Sequence, residues 1–73
     1  MGKRYSLRLL RVALGKTLAE ISEAVAPGND AVAMAEENLG EVSVSLLERY
    51  ASALGGVLEI AVVVHGRRYI LHR

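Results

Sequence analysis

The spacing of apolar residues changes at Gly55-Gly56, and this change restricts the chain to a helical part followed by a short strand pair. Before the two glycines, apolar side chains recur every three or four residues, as in "LRLLRVALG" and "SLLERYASALGG", which is the period of an amphipathic helix. After them, "VLEIAVVVHGRRYILHR" is rich in β-branched residues, and His65-Gly66 has the composition of a tight turn. The sequence therefore predicts a mostly α protein with a C-terminal β-hairpin.

Start and stop signals divide the helical part into four segments, of which the first two are clearly marked. The first helix is expected from about Ser6 to Leu14, with Arg8 and Arg11 on its outer side and Gly15 as its stop. The second helix opens at Thr17, where "TLAE" has the pattern of a capping box. It is expected to end at "APGN", because proline removes a backbone donor and disfavours helical geometry in the residue before it.

The third and fourth helices are marked by further capping residues. The third is expected to start at Asn29 or Asp30 and to end near Glu37. The fourth starts at Ser43 or Ser45, and "SLLE" gives the second of these the pattern of another capping box. Six residues are expected to form one core: Ile21, Val25, Leu46, Leu47, Tyr50 and Leu54.

The hairpin carries apolar residues on both faces, more than the four short helices can cover. A chain of 73 residues buries only a thin core, and an isolated hairpin is marginal in water. We therefore expect one domain, with a helical bundle at residues 1–56 and a dimerisation element at residues 57–73 whose strands form an intersubunit sheet. The expected dimer-interface residues are Leu58, Ile60, Val62, Val64, Tyr69 and Leu71.

Composition argues against several classes of function. The chain has no Cys and only two His, which argues against a structural metal site, and no nucleophile stands beside a base. No glycine-rich phosphate loop is present either, so we expect neither an enzyme nor a bound cofactor. The longest apolar run, Ile60 to Val64, is far too short to cross a bilayer, and a cytoplasmic protein is expected.

Charge is ordered along the chain in three blocks, although the net charge is only +1. Residues 1–16 hold basic side chains and no acid, residues 17–48 hold acidic side chains and no Lys or Arg, and the remainder is basic again. This order indicates that the basic ends meet phosphate while the acidic middle faces something else, although solvated helix faces would give the same pattern.

The chain resembles the Cro/repressor type of helix-turn-helix protein, the XRE family, in two stretches. The first is "LRLLRVALGKT"; the second is "LLERYASALGG", which is separated by one residue from "LEI". The likeness covers nearly the whole chain and is greatest to a small subgroup that contains many antitoxins of bacterial toxin–antitoxin pairs. It implies a helical bundle that dimerises through added C-terminal elements and binds operator DNA. Glu36 also fits the family pattern.

The chain departs from the family where bases are read. The family has Gln after the residue that matches Thr17, and here that position is Leu18; it has Ser and Arg in the third helix, and here those are Ala33 and Met34. Base edges are read chiefly by Arg, Lys, Asn and Gln, of which the third helix offers only Asn29.

The residues expected at DNA fall into two groups. Base edges would meet Asn29, Asp30, Ala33 and Met34, with Gly28 in the turn before them. Phosphates would meet Lys3, Arg4, Lys16 and the backbone amides near Thr17 and Asn29. Asn29 and Asp30 are open to a second interpretation as plain helix caps, and Lys3 and Arg4 to one as a solvated tail.

Two function classes follow from these expectations. In the first, the chain is a homodimeric DNA-binding transcriptional regulator, an antitoxin-like autorepressor of a bacterium or phage, and its partners are double-stranded DNA and itself. In the second, the same fold is a protein-interaction module whose acidic face docks a basic partner such as a toxin. Fold alone does not choose between them, because function resides in the site.

Overall fold

The computed structural model describes residues 4–72 and consists of four helices followed by a two-stranded antiparallel sheet. The elements are α1 (Leu7–Ala13), α2 (Leu18–Val25), α3 (Ala31–Glu37), a 3₁₀ turn (Leu39–Glu41), α4 (Val44–Ala53), β1 (Ala61–Val64) and β2 (Arg67–Ile70). The prediction of a mostly α protein with a C-terminal hairpin is confirmed.

Side-chain caps fix the starts of α1 and α2 where the sequence predicts them. The Ser6 hydroxyl accepts a hydrogen bond from the Leu9 amide at 3.1 Å. At α2 both halves of the capping box are present, because the Glu20 amide donates to the Thr17 hydroxyl and the Thr17 amide donates to the Glu20 carboxylate. Gly15 follows α1 with a φ of +74°, a left-handed conformation that favours glycine.

Helix α4 begins at the first of the two expected positions. The Ser43 hydroxyl accepts from the Leu46 amide at 3.1 Å, and the extended backbone of Ser43 is the geometry that an N-cap residue requires. Ser45 lies inside the helix, so the second capping box is wrong.

The core lies where α2, α3 and α4 meet. Its fully enclosed members are Ile21, Val25, Val32 and Tyr50, and Leu7, Ala26, Leu46, Ala53 and Leu54 pack partly buried against them. The expected core is therefore correct except at Leu47, which is only half-buried and is not part of this cluster.

The orientation of α1 differs from the prediction. Arg11, expected on the outer side, is only 7% exposed, whereas Val12 and Leu14 are 57% and 51% exposed. Arg11 lies one helical turn after Leu7, so it shares the inward face with that residue, and a carboxylate on α3 accepts its charge there.

The hairpin has the register that a two-residue turn predicts. Val62 is opposite Tyr69, Val64 is opposite Arg67, and the ladder extends to a hydrogen bond from the Leu71 amide to the Ile60 carbonyl. His65 and Gly66 both have positive φ, as the tightest hairpin turns require. Every residue of both strands is exposed, so within residues 4–72 neither face of the sheet is buried.

We expect the Ile21→Ala substitution to lower the free energy of unfolding by about 2–5 kcal/mol, because it leaves a cavity in a fully enclosed site. Leu47→Ala removes the same class of side chain from a half-buried position outside the core and should cost clearly less. Reversible urea denaturation of both variants at one protein concentration measures the difference. Equal losses would show that α4 presents a different face to the core.

Candidate nucleic-acid interface

A buried ion pair joins α1 to α3. The Nε atom of Arg11 donates to Oε2 of Glu36 at 2.7 Å, and its Nη2 atom donates to Oε1 at 3.2 Å. The two side chains are only 9% and 8% exposed. Two parallel hydrogen bonds between planar groups fix the relative orientation of the two helices as well as their distance.

Tyr50 and a backbone carbonyl extend this pair to the rest of the bundle. The Tyr50 hydroxyl, on α4, donates to Glu36 Oε2 at 2.6 Å, and the Leu7 carbonyl lies 3.3 Å from the same hydroxyl. The Nη1 atom of Arg11 donates to the Lys16 carbonyl at 3.0 Å, immediately before α2. We call Arg11, Glu36 and Tyr50 the buried triad.

The triad sets the charge state of its members. Burial alone would raise the pKa of Glu36, but hydrogen bonds from Arg11 and Tyr50 and the charge of Arg11 outweigh it, so this pKa lies below its ordinary value. The hydrogen bond to Glu36 raises the pKa of Arg11. Burial, followed by the hydrogen bond to Glu36, raises the pKa of Tyr50. At neutral pH the triad is therefore a carboxylate, a guanidinium and a neutral phenol.

The triad also decides which face of α3 is presented to solvent. Val32, Ala35 and Glu36 point inward, and the first two are buried in the core region. Met34 is 60% exposed on the opposite side, and Ala33 is half-buried. The outward face of α3 is therefore the one on which the sequence places its base-reading candidates.

In the turn before α3, the side chain of Asn29 caps the helix start, whereas that of Asp30 makes no cap hydrogen bond. The Asn29 side chain accepts from the Ala31 amide at 2.9 Å, so its carbonyl is occupied in holding the turn. Asp30 is the N-cap residue of α3 but makes no side-chain cap hydrogen bond, and it is exposed. Gly28 has a φ of +84°, a value that favours glycine over any side-chain-bearing residue.

The start of α2 is less receptive to phosphate than the sequence predicts. The Thr17 amide donates to the Glu20 carboxylate at 2.9 Å, and the Thr17 backbone and hydroxyl together lower the pKa of Glu20. A carboxylate thus occupies the amide that was expected to meet DNA. Of the expected cations, Arg4 is exposed, Lys16 is half-buried and Lys3 lies outside the described residues.

An apolar groove adjoins α3 on the same outward side. It has a volume of about 390 Å³ and lies between α3, the 3₁₀ turn and the start of α4. Its lining residues are Ala31, Met34, Ala35, Asn38, Glu41, Val42, Ser43 and Leu46. Within residues 4–72, the carboxylates of Asp30, Glu37 and Glu41 make neither an ion pair nor a hydrogen bond.

Other classes of site find little support in this part of the molecule. Among residues 4–72, no three His, Cys, Asp or Glu side chains are grouped so that they could hold a metal ion. No helix in the same range has the length and apolar character needed to cross a membrane.

The sequence matches no protein-family model, and no curated protein is detectably similar to it.

The triad is the structural feature that the sequence interpretation missed, and its signal was present. Leu7, Leu10 and Arg11 have the spacing of a single helix face, so an arginine lies within an apolar stripe. Glu36 follows Val32 by four residues and shares its face in the same way. Two opposite charges, each on an apolar helix face, indicate a buried pair.

We expect Glu36→Ala to lower the free energy of unfolding by about 3–5 kcal/mol, because it leaves the buried Arg11 guanidinium without a partner. The triple variant Arg11→Met/Glu36→Leu/Tyr50→Phe removes every member of the network at once. It should recover most of that loss, since hydrophobic replacement of a whole buried ion pair is often neutral or stabilising. Chemical denaturation at neutral pH measures both variants.

The pH dependence of the same proteins provides the control. Because the pKa of Glu36 is lowered in the folded state, its contribution is complete above the unfolded value of about 4.3 and is lost as pH falls through the folded value. The wild type should therefore lose more stability in acid than the triple variant does. Identical acid profiles, or a triple variant as unstable as Glu36→Ala, would contradict this account of the triad.

Proposed function

We propose that this chain is a homodimeric DNA-binding regulator of the Cro/repressor helix-turn-helix type. The observation that supports it is the buried triad, which locks α3 onto α1 and leaves the outward face of α3 and the preceding turn open. A helix held rigidly by its inner face, with its outer face free, is what insertion into a major groove requires. By the resemblance described above, the regulator would be an antitoxin-like autorepressor in a bacterial cytoplasm.

Base reading by α3 would rest on few contacts. Met34 and Ala33 can meet thymine methyl groups, and the uncommitted carboxylate of Asp30 can accept from a cytosine amino group. None of these makes the bidentate hydrogen bonds by which Arg, Asn and Gln distinguish bases. Discrimination between sequences would therefore be modest, with some of it arising from DNA shape.

Affinity would come from the basic N-terminal region. The structure leaves Arg4 exposed and Lys16 half-exposed just before α2, and Lys3 adds a third positive charge to the sequence. Asp30 and Glu37 on α3 would repel phosphate and weaken the binding. Cations outside α3 would thus supply the attraction that α3 itself does not.

Dimerisation would involve the hairpin. Val62, Val64, Tyr69 and Leu71 are 45%, 44%, 49% and 46% exposed, a continuous apolar surface on a sheet of only two strands. Leu58 and Ile60, also expected at the interface, are half-buried within one chain. A second copy would extend the sheet and cover this face, and the dimer would set two copies of α3 against successive turns of DNA.

We expect the Val62→Lys/Tyr69→Lys variant to be monomeric in light scattering, because it places charges on the face assigned to the interface. Val63→Lys/Ile70→Lys carries the same change on the opposite face of the same strands and should remain dimeric. A monomeric wild type would contradict the dimer. Loss of the dimer only in the second variant would show that the other face forms the interface.

We expect Arg4→Ala/Lys16→Ala to flatten the slope of log affinity against log salt by up to about 3.6, since a dimer would lose four phosphate contacts at about 0.9 each. Arg67→Ala/Arg68→Ala removes the same charge from the hairpin and should change the slope much less. Fluorescence anisotropy over a salt series, on random DNA and on the promoter of the chain's own gene, measures both.

The outcome of that titration also tests the function as a whole. If the wild type binds neither DNA at low salt, the regulator proposal fails and the protein-interaction alternative replaces it. If binding is tight and survives the loss of Arg4 and Lys16, α3 grips DNA through contacts other than those described. Asp30→Asn should strengthen binding to random DNA, because it removes a negative charge beside the phosphates.

A further inference from the structure

We infer that the depression between α1, α2 and α3 reads the major-groove edge of a cytosine–guanine pair whose cytosine is methylated at C5. This inference rests on the proposed function and deepens it, because it names the base pair that this surface distinguishes. It follows from three kinds of side chain that line the depression together: an exposed arginine, an exposed carboxylate and two apolar residues.

The depression offers a ligand one positive and one negative group. It has a volume of about 320 Å³, and its lining residues are Arg8, Arg11, Leu18, Ala33, Glu36 and Glu37. Arg11 and Glu36 pair with each other, so their charges are already satisfied. Within residues 4–72, the exposed side chains of Arg8 and Glu37 make neither a hydrogen bond nor an ion pair. The charged groups left for a ligand are therefore one guanidinium and one carboxylate.

Two apolar side chains form the second part of the lining. Leu18, the first residue of α2, is 37% exposed, and Ala33 on α3 is half-buried. They belong to different helices but line the same depression. Covering them with an apolar group removes apolar surface from water, and the apolar group that DNA presents in the major groove is the C5-methyl group of a pyrimidine.

Glu37 distinguishes between the two pyrimidines that carry such a methyl group. Ala33 and Glu37 are four residues apart, so they are neighbours on one face of α3. Thymine has its O4 acceptor beside the methyl group, and a carboxylate repels it. In 5-methylcytosine the N4 amino group lies there instead, and a carboxylate accepts its hydrogen bond. A carboxylate beside an apolar wall thus favours 5-methylcytosine over both thymine and unmethylated cytosine.

Arg8 matches the other half of the same base pair. Guanine presents its O6 and N7 acceptors beside the cytosine amino group, and arginine is among the side chains that most often bind them. The positive charge of Arg8 also offsets the repulsion between Glu37 and the phosphates, since both side chains line one depression. The bond between Arg11 and Glu36 holds α1 against α3, so the two charged groups are presented to DNA together.

The test compares DNA duplexes that differ only in their pyrimidine methyl groups. A fragment from the promoter of the chain's own gene is amplified with cytosine or 5-methylcytosine nucleotide, and separately with thymine or uracil nucleotide. Each duplex competes for the wild-type protein in fluorescence anisotropy. The 5-methylcytosine duplex should bind at least about fourfold more tightly than the cytosine duplex, which is the gain from burying one methyl group. The ratio between the thymine and uracil duplexes should be smaller.

Three variants connect this preference to the depression. Leu18→Gln should remove most of the preference for 5-methylcytosine, because an amide replaces the apolar wall. Val44→Gln is the matched control and should keep it, since Val44 is also an exposed aliphatic residue at the first position of a helix but does not line the depression. Glu37→Gln should raise the ratio between thymine and uracil duplexes, because an amide can donate to O4 and a carboxylate cannot.

The outcomes separate this inference from the proposed function. If the wild type binds the cytosine and 5-methylcytosine duplexes with equal affinity, the inference is overturned and the regulator is retained. A greater preference for thymine over uracil than for 5-methylcytosine over cytosine would also overturn it. Equal losses in Leu18→Gln and Val44→Gln would show that the methyl groups act elsewhere, for example through DNA shape. Absence of binding to every duplex would reject the regulator and this inference with it.

Discussion

The contact between Arg11 and Glu36, completed by the Tyr50 hydroxyl, is the interaction that fixes how α1, α3 and α4 are placed against one another. Within residues 4–72 the enclosed apolar cluster has four members, and Tyr50 belongs both to it and to the triad. A purely apolar core of this size would permit α3 to roll or slide, since one aliphatic contact substitutes readily for another. The two hydrogen bonds between Arg11 and Glu36 form at one relative placement of α1 and α3. Any other placement would leave a buried charge without a partner.

The elements of the fold could be predicted from sequence because their signals are local. Thr17 and Glu20 form the capping box that the sequence shows, and Gly15 stops α1 as a glycine in left-handed geometry should. The hairpin register follows from a two-residue turn and the alternation of side chains, and it too is local. These features depend on neighbours a few residues away, so no knowledge of the tertiary structure is needed to find them.

The triad could not be predicted in the same way, because its members lie on three different helices. The charge of Arg11 predicts a solvent-facing position, although its spacing from Leu7 puts it on the inner face, where it is buried. The decisive fact is that Glu36, 25 residues along the chain, accepts its guanidinium. Leu47 shows the reverse error: its apolar side chain and helical spacing predict a core position, but it is only half-buried and lies outside the core cluster. In both cases the burial of the side chain depends on its tertiary contacts, which residue type and helical spacing do not reveal.

Five carboxylates in the acidic middle of the chain differ in what their charges contact. The Glu36 carboxylate pairs with Arg11 inside the protein, and the Glu20 carboxylate accepts a hydrogen bond from the Thr17 amide. Within the described residues, the carboxylates of Asp30, Glu37 and Glu41 make no ion pair, so their negative charges face solvent. The surface around α3 is thus negative as well as apolar, and these charges would weaken contact with a polyanion.

The two strands of the hairpin have unequal free edges, and this asymmetry bears on how far assembly can proceed. A sheet built from two hairpins still has two outer strands, and exposed strands recruit further copies unless charge discourages them. Strand β1 is Ala-Val-Val-Val, whereas β2 begins with Arg67 and Arg68. If the two copies join through β1, the arginines fall on both rims. Arg68 is paired there with Glu59 at 3.7 Å, and the charge of Arg67 would repel a third chain. The residues that begin β2 would then act as terminators, closing the assembly at two chains instead of allowing a fibre.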